Sequence, residues 1–499
     1  MKNFKIVLFL LTICANAQEV ELRWAERIKT KETVSILGGK DGMYFTMHKD
    51  DDKQLVCRSY NHKMELKNEK VVNFNIDSKK YEYSGAYFVN DKIIHFIKDY
   101  NRKTEKNLLL AAVTDLDLNT SKQTSVIDEA EERVTEFGSR GISPDSTKIV
   151  VYNELKGRKK DPSVLNFKVF DTGLKNVMLD KSVVLPIKAR NFSKEQVGVD
   201  NLGNVFVLAR IYKEKDERGK DQSAYYYKLM VFNKNEKATE FDFDYPDRDI
   251  ESIDVLPGKN NTIICTGFLK ILNKGFFGKG KKTLISDELF SSIIDSKTVT
   301  LKTANKYELE GLYPEKPKKT ADYVPYKVKD IFFREDGGAV VVAEQYKLVV
   351  VTSSGTNGMG GRTSYYYYYC DIAVINISNT SVVESVSKMP KYQMNAGNPS
   401  ILATYSKGKT YIIYEDLEKN SDAEDDKDTK RSTKSWLSSS SKNALFLMSV
   451  EANGEMKKHV IYSYKESKIR PRIKASTVIS DHEILLNADD QIGLLNIMN

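Results

Sequence analysis

Residues Lys327–Ser378 read KVKDIFFREDGGAVVVAEQYKLVVV, then TSSGTNGMGGRTS, then YYYYYCDIAVINIS. An approach strand meets an Asp-Gly-Gly turn at Asp336–Gly338, and an apolar run follows from Ala339 to Ala343. A loop rich in Gly, Ser and Thr separates it from a second apolar run, Ile372–Ile377. Short continuous apolar runs bounded by turn residues predict strands covered on both faces, whereas a half-exposed strand alternates. The runs at Ile93–Ile97 (IIHFI) and Val205–Ala209 (VFVLA) have the same character.

Working outward, the same grammar of about four short β runs per unit, punctuated by Gly, Asn, Asp or Pro, recurs along the chain. The units are Thr33–Asn75, Ser84–Asp128, Arg140–Ile187, Gln196–Tyr245, Ile250–Lys306, the opening stretch and Pro399–Tyr464. In the fifth, Lys281–Leu289 (KKTLISDEL) is read as the third strand. The last piece, Ile473–Met498, holds only three strand patterns, and Glu19–Lys29 (EVELRWAERIK) is the one available fourth. Long helical periodicity is nearly absent. Four-stranded sheets buried on both faces and repeated radially predict an all-β fold, a β-propeller closed by an N-terminal strand. The count favours eight blades, with seven as the alternative; stacked sandwiches would show cleaner alternation.

The segment Gly141–Val150 (GISPDSTKIV) resembles the FSPDGKKIAF-type repeat of TolB-like and WD40-like propellers, departing from it at Ile142 and Ser146. The segment Phe333–Lys388 is similar to a group of exported propeller proteins of Gram-negative bacteria. The resemblance implies the propeller fold and an envelope location; it brings no catalytic residue and no ligand.

At the N-terminus, Lys2 and Lys5 precede an apolar Ile6–Ile13 and a small-x-small site, Ala15-Asn16-Ala17, which together predict a signal peptide over residues 1–17. Ile13 before Cys14 is too bulky for a lipobox. The remainder, residues 18–499, is expected to form one propeller domain, exported to the periplasm, the outer surface or the medium. No later run has the length of a transmembrane helix. The 40% hydrophobic and 29% charged composition suits a folded protein, and the net charge of +8 is spread without a basic block, so nucleic acid is not the expected partner.

Catalytic and metal motifs are wanting. There is no HExxH, no GxSxG elbow, and the five histidines stand apart. Asp115-x-Asp117-x-Asn119 begins like a calcium loop but has Thr120 and Val126 where Gly and Glu belong. Gly355–Gly361 does not lie between a strand and a helix, so it is no phosphate loop. Cys57, Cys265 and Cys370 are widely spaced and sit in apolar runs, predicting buried thiols in preference to one disulfide. No cofactor and no metal are expected, and no catalytic residue is nominated.

The functional signal lies in three insertions, Lys213–Ser223, Thr352–Ser364 and Lys419–Lys442, all between second and third strands. Equivalent loops of a propeller emerge on one face, and such insertions often build the binding side. Two run into tyrosines, Tyr225, Tyr226 and Tyr227, and Tyr365, Tyr366, Tyr367, Tyr368 and Tyr369; the third is a low-complexity segment near 419–442, expected to be disordered, with Trp436 as an anchor. Tyrosine offers large contact area and a polar tip at small entropic cost. The alternative is that alternate tyrosines cover a blade beside a floppy loop. The expected function is a protein-binding or scaffolding module of the bacterial envelope; a carbohydrate-binding or carbohydrate-processing propeller is the alternative.

Overall fold

The computed structural model describes residues 20–498 apart from 31, 77–80, 122–123, 132–133, 135, 220–221, 235–236, 259, 272–287, 310–311, 313–323, 354–361, 381, 395–399, 422–433 and 436–441. Eight antiparallel blades form the ring. Seven follow in chain order, covering residues 35–71, 82–131, 136–188, 192–243, 248–308, 326–389 and 401–463. In the eighth, Thr477–Val478, Glu483–Asn487 and Ile492–Ile497 come from the C-terminus, and Val20–Trp24 completes the sheet by pairing Val20 with Ile497 and Trp24 with Gly493. The closure expected of Glu19–Lys29 is thus made by its first half. It is also sterically fitted: a Cβ on Gly493 would stand 2.6 Å from the Trp24 ring.

Val205–Tyr212 explains why the inner runs are continuously apolar. Val205, Val207, Ala209 and Ile211 pack with Val150, Phe167 and Val169 of blade 3. Phe206 and Leu208 turn the other way, onto Ile263, Cys265 and Phe290 of blade 5. A strand sandwiched between two neighbouring blades has no solvent face to spend on polar residues. Similar clusters join every neighbouring pair, and Tyr44 and Tyr60 of blade 1 with Leu485 and Leu494 of blade 8 close the circle. All three cysteines described are buried, and none is in a disulfide.

Turn chemistry sets the hairpins. At Ser143-Pro144-Asp145, Asp145 Oδ1 accepts the Thr147 N–H at 3.0 Å and Ser143 Oγ the Lys148 N–H at 3.0 Å, with Ser146 left-handed at φ +56°. At Asp336, Oδ1 accepts the Gly338 N–H at 2.9 Å while Gly337 takes φ +87°, open to glycine without cost. Each blade's first strand lies innermost, around the channel. These strands touch across blades: Arg140 Nη2 donates to Ser84 O at 2.7 Å, and Gln196 Nε2 to Val255 O at 2.8 Å.

One strand differs from the sequence reading. The third strand of blade 5 is Glu288–Asp295, so of Lys281–Leu289 only the last two residues join it, and residues 281–287 lie outside those described. The strand ELFSSIID alternates poorly and was hidden beside the more turn-like KKTLISDEL. Blade 5 therefore also has a long second-to-third connection, residues 272–287, beside the three insertions already identified.

Candidate functional site

Strands in a blade alternate in direction, so second-to-third connections and the links between blades emerge on the same face. Blades 4 to 7 all have long connections there. On blade 6 both described ends of the insertion, residues 352–353 and 362–364, are strand. Ala339–Ser353 and Arg362–Ile377 run on as a hairpin well past their neighbours. Among the described residues the first strand of the blade pairs as far as Tyr326↔Gln345 and the fourth as far as Met389↔Ile372, and the two central strands continue from Tyr346↔Tyr369 to Ser353↔Arg362. Thr352 and Ser353, expected in a flexible insertion, belong to this ladder, and only 354–361 lie outside the described residues. A bulge between Glu344 and Tyr346 marks where blade becomes arm.

Register decides what the arm shows. Leu348 faces Tyr367 and Val350 faces Tyr365, and these four share one side. They are 41%, 40%, 51% and 54% exposed, respectively, an apolar stripe of a kind that folded surfaces usually bury. At the foot of the same side lie Tyr346 and the buried Tyr369, ring centroids 5.0 Å apart. Three ammonium groups stand over them: Lys327 4.8 Å from the Tyr346 centroid, and Lys474 and Lys329 5.3 and 5.9 Å from that of Tyr369. Lys474 also donates to the Tyr369 hydroxyl at 3.3 Å. On the other side, Tyr368 approaches Tyr392 of the link to blade 7, centroids 6.4 Å apart.

That link carries a short strand, Gln393–Met394, which pairs antiparallel with Tyr369 and Tyr368 and parallel with Lys434–Ser435 from the blade 7 insertion. Two of the three insertions thus share one sheet. Its foundation is polar and buried. Lys391 and Glu344, each fully buried, form an ion pair, and Lys329 Nζ adds a second contact to Glu344 at 3.0 Å. Gln393 Nε2 donates to Glu415 O at 2.5 Å; the Glu415 carboxylate accepts from Asn443 at 2.8 Å and from the Tyr464 hydroxyl at 3.1 Å.

The blade 4 tyrosines have a different fate. Tyr225–Phe232 is the third strand of its blade, and Tyr227 is buried. Its hydroxyl accepts from Arg210 Nε at 2.9 Å and Nη2 at 2.6 Å, with the guanidinium 5.2 Å from the ring centroids of both Tyr225 and Tyr227. Tyr225 donates to Ile250 O at 3.0 Å, and Tyr226 lies half-buried under Lys213. Of the three, only Tyr227 is buried, and Tyr225 and Tyr226 are half-buried. Trp436 lies outside the described residues.

Sequence reasoning missed the channel carboxylates. Asp254 and Asp330 lie on the innermost strands of blades 5 and 6, near enough for the charge of Asp254 to act on Asp330. Burial pushes Asp330 up to about 7, the charge of Asp254 adds to this, and Lys329 opposes it; burial likewise raises Asp254, against an N–H bond from Val255. Nothing in VKDIFF or IDVLPG announces a pair, because blade geometry brings together residues 76 positions apart in the chain. Among the described residues no group of three or more His, Cys, Asp or Glu could hold a metal ion. His95 is a core residue between the Tyr83 hydroxyl, at 3.2 Å, and Thr114 Oγ1, at 2.8 Å, and burial holds it down at about 4. No helix among the described residues is long and apolar enough to cross a membrane.

Fold and face together define a β-propeller with one built-up face. No family model matches the chain, and no curated sequence matches it. Among solved structures it is similar to oligogalacturonate lyase from Vibrio parahaemolyticus, at 10% identity over 94% of this chain and 99% of that one, TM-score 0.35. It is also similar to the propeller domain of the trilobed protease from Pyrococcus furiosus (11%, 73% and 96%, TM-score 0.31) and to the WD40 domain of SCAP from fission yeast (11%, 84% and 98%, TM-score 0.24). These are β-propellers of unrelated activities, and no functional residue is taken from them. The propeller fold that the likeness of Gly141–Val150 implied is the fold of the eight blades.

Proposed function

We propose that this is an exported propeller of the bacterial envelope that binds a protein partner through the face bearing the long connections, with the blade 6 arm as its main contact. The observation that carries the reading is the exposed stripe of Leu348, Val350, Tyr365 and Tyr367 on the blade 6 arm. Tyrosines and aliphatics on a braced β platform supply contact area at small ordering cost. Export rests on Lys2, Lys5, Ile6–Ile13 and Ala15–Ala17, and the TolB-like resemblance of Gly141–Val150 agrees with it. The test is a crosslinking pull-down from intact cells with the full chain and with a Leu348→Ser, Tyr365→Ser, Tyr367→Ser variant. A partner captured by the first and lost by the second is expected; equal capture sinks the reading. N-terminal sequencing of envelope-fraction protein is expected to begin at Gln18, and a chain that retains Met1 in the cytosol removes the export half.

A second reading, a carbohydrate-binding or carbohydrate-processing propeller, is favoured by Asp254 and Asp330. Two neighbouring carboxyl groups on the first strands of adjacent blades, one holding its proton near neutrality, suit acid–base work on a glycosidic bond. Sugar release from envelope polysaccharide, abolished by Asp330→Asn, would support it; a glycan array without hits and no released sugar would remove it.

A further inference from the structure

We infer that the cleft in the seam between blades 2 and 3 is a binding site for a neutral, polyhydroxylated ligand, a sugar residue. It shares no residue with the blade 6 arm or with the Asp254–Asp330 pair.

The seam changes character along its length. In blade 3, Lys148–Leu155 and Pro162–Asp171 pair Ile149 with Phe170, Val151 with Lys168 and Asn153 with Asn166. Directly paired residues lie on one face of a sheet, and alternate pairs share it. Ile149, Val151 and Phe170 pack on Leu109 and Ala111 of blade 2. Further along, that face carries Lys168, Asn166 and Asn153 instead. The other face of Pro162–Asp171 carries Leu165, Phe167 and Val169 against blade 4. The polar set is no frayed strand end, because Asn153 and its blade 2 neighbour Asp128 are only 3% and 6% exposed.

These groups are bonded to one another. Asn166 Nδ2 donates to Asn153 Oδ1 at 2.8 Å, Asn153 Nδ2 donates to Asp128 Oδ2 at 2.9 Å, and Lys168 Nζ stands 2.9 Å from Asp128 Oδ1. Burial disfavours the Lys168 ammonium, yet Asp128, Asp180 and Glu129 outweigh it and raise the group above its ordinary value. Aliphatic side chains of similar volume would join two blades at least as well as a buried ion pair does. What the polar set adds is a floor of fixed donors and acceptors. Above it lies a cleft of about 410 Å³, within the roughly 300–1,000 Å³ of small-molecule sites.

The lining selects the ligand. Carboxylates of Asp128, Glu129 and Asp180 lie among ammonium groups of Lys106, Lys168 and Lys181, and Lys106 Nζ is 2.6 Å from Glu129 Oε1. An anion meets the first set and a cation the second, so either brings like charges together. An apolar ligand would take water from these groups and return no hydrogen bond. A hydroxyl both donates and accepts. Adjacent hydroxyls of a sugar can therefore bond the carboxylate and the ammonium of one pair and leave that pair intact.

The test is saturation-transfer NMR on the full chain with glucose, galactose, mannose and N-acetylglucosamine, and with aspartate and putrescine as charged probes. At least one sugar is expected to give a saturable signal, and the charged probes none. Ser182 lines the cleft from an exposed position on the outer strand of blade 3, opposite Asn166. Ser182→Phe fills the space without removing a floor group and is expected to abolish the signal, whereas Ser182→Thr should keep it. Asn166→Ala takes one polar side chain from the floor and is expected to weaken binding roughly tenfold. Unfolding curves identify a variant that does not fold, and the other then decides. Retention on immobilised envelope polysaccharide that Ser182→Phe abolishes would place the sugar on a glycan; binding of free sugars without retention would place it in solution, and each supports the site. The inference is overturned by the lack of a saturable sugar signal, or by a signal indifferent to Ser182→Phe. It is overturned equally by a charged probe that binds in preference to the sugars and is lost with Ser182→Phe.

Discussion

Tyr225–Tyr227 and Tyr365–Tyr369 look alike in sequence, each following an insertion in the same class of connection. In blade 4 the tyrosine strand pairs on both sides, with Val205–Tyr212 and Thr239–Phe243, and blade 5 covers it. In blade 6 the strand carrying the tyrosines outruns, among the described residues, both the first and the fourth strand of its blade. A tyrosine is core where neighbouring strands reach it and surface where they stop. The residue type is therefore mute about function; the length of the neighbours speaks.

The sharpest way to break this comparison is a matched pair of truncations. Tyr227→Ala empties a buried site and strips Arg210 of its hydroxyl acceptor, so a loss of about 3–5 kcal/mol is expected in denaturant unfolding. Tyr365→Ala, 54% exposed, is expected to cost less than about 0.5 kcal/mol. Comparable losses would mean that the arm is packed as a blade is.

A second experiment tests the foundation under the arm. Glu344→Leu leaves the Lys391 ammonium buried without its partner, which costs about 3–5 kcal/mol where a buried pair is broken on one side. Adding Lys391→Met to it should return most of that loss, since neither charge is then left alone. Failure of the double variant to recover would show that Lys391 has a duty beyond pairing Glu344.

A smaller effect, and a signed one, comes from the channel below. Asp330 binds its proton more tightly folded than unfolded, its folded value standing at about 7 against 3.8. The unfolded chain releases that proton first, so stability declines as pH rises from about 4 toward 7 and levels off above. Asp330→Asn is expected to flatten this part of the profile and to raise the denaturation midpoint at pH 8 relative to the parent. A midpoint unchanged at pH 8 would mean that Asp254 and Lys329 leave the carboxylate no worse off than in water.

Much of the ring was legible because propeller physics leaves traces at single positions. Two-sided burial made VFVLA and AVVVA continuous, and the closing strand was recoverable from the missing fourth strand of the last piece. The third strand of blade 5 escaped because ELFSSIID has serines at positions where the neighbouring blades would otherwise demand aliphatics. The site was legible in its face but not in its residues. Insertions are visible as unmatched length, whereas the arm depends on how far Tyr326 and Met389 reach, and the meeting of Asp254 with Asp330 depends on the angle between two blades.

The mildest perturbation bears most directly on function. Tyr365→Ser with Tyr367→Ser removes two half-exposed rings from the stripe while leaving the arm's backbone ladder and the buried Tyr369 in place. Stability should move by less than about 1 kcal/mol for the pair, because both rings are half-exposed. Leu348 and Val350 opposite them would then face a polar strand, and the contact area available to a partner would shrink without a change of fold. Loss of partner capture against an unchanged unfolding curve would assign the stripe to binding. A large fall in stability would instead make the exposed rings part of the arm's own structure, and would bring the blade 6 tyrosines back into line with those of blade 4.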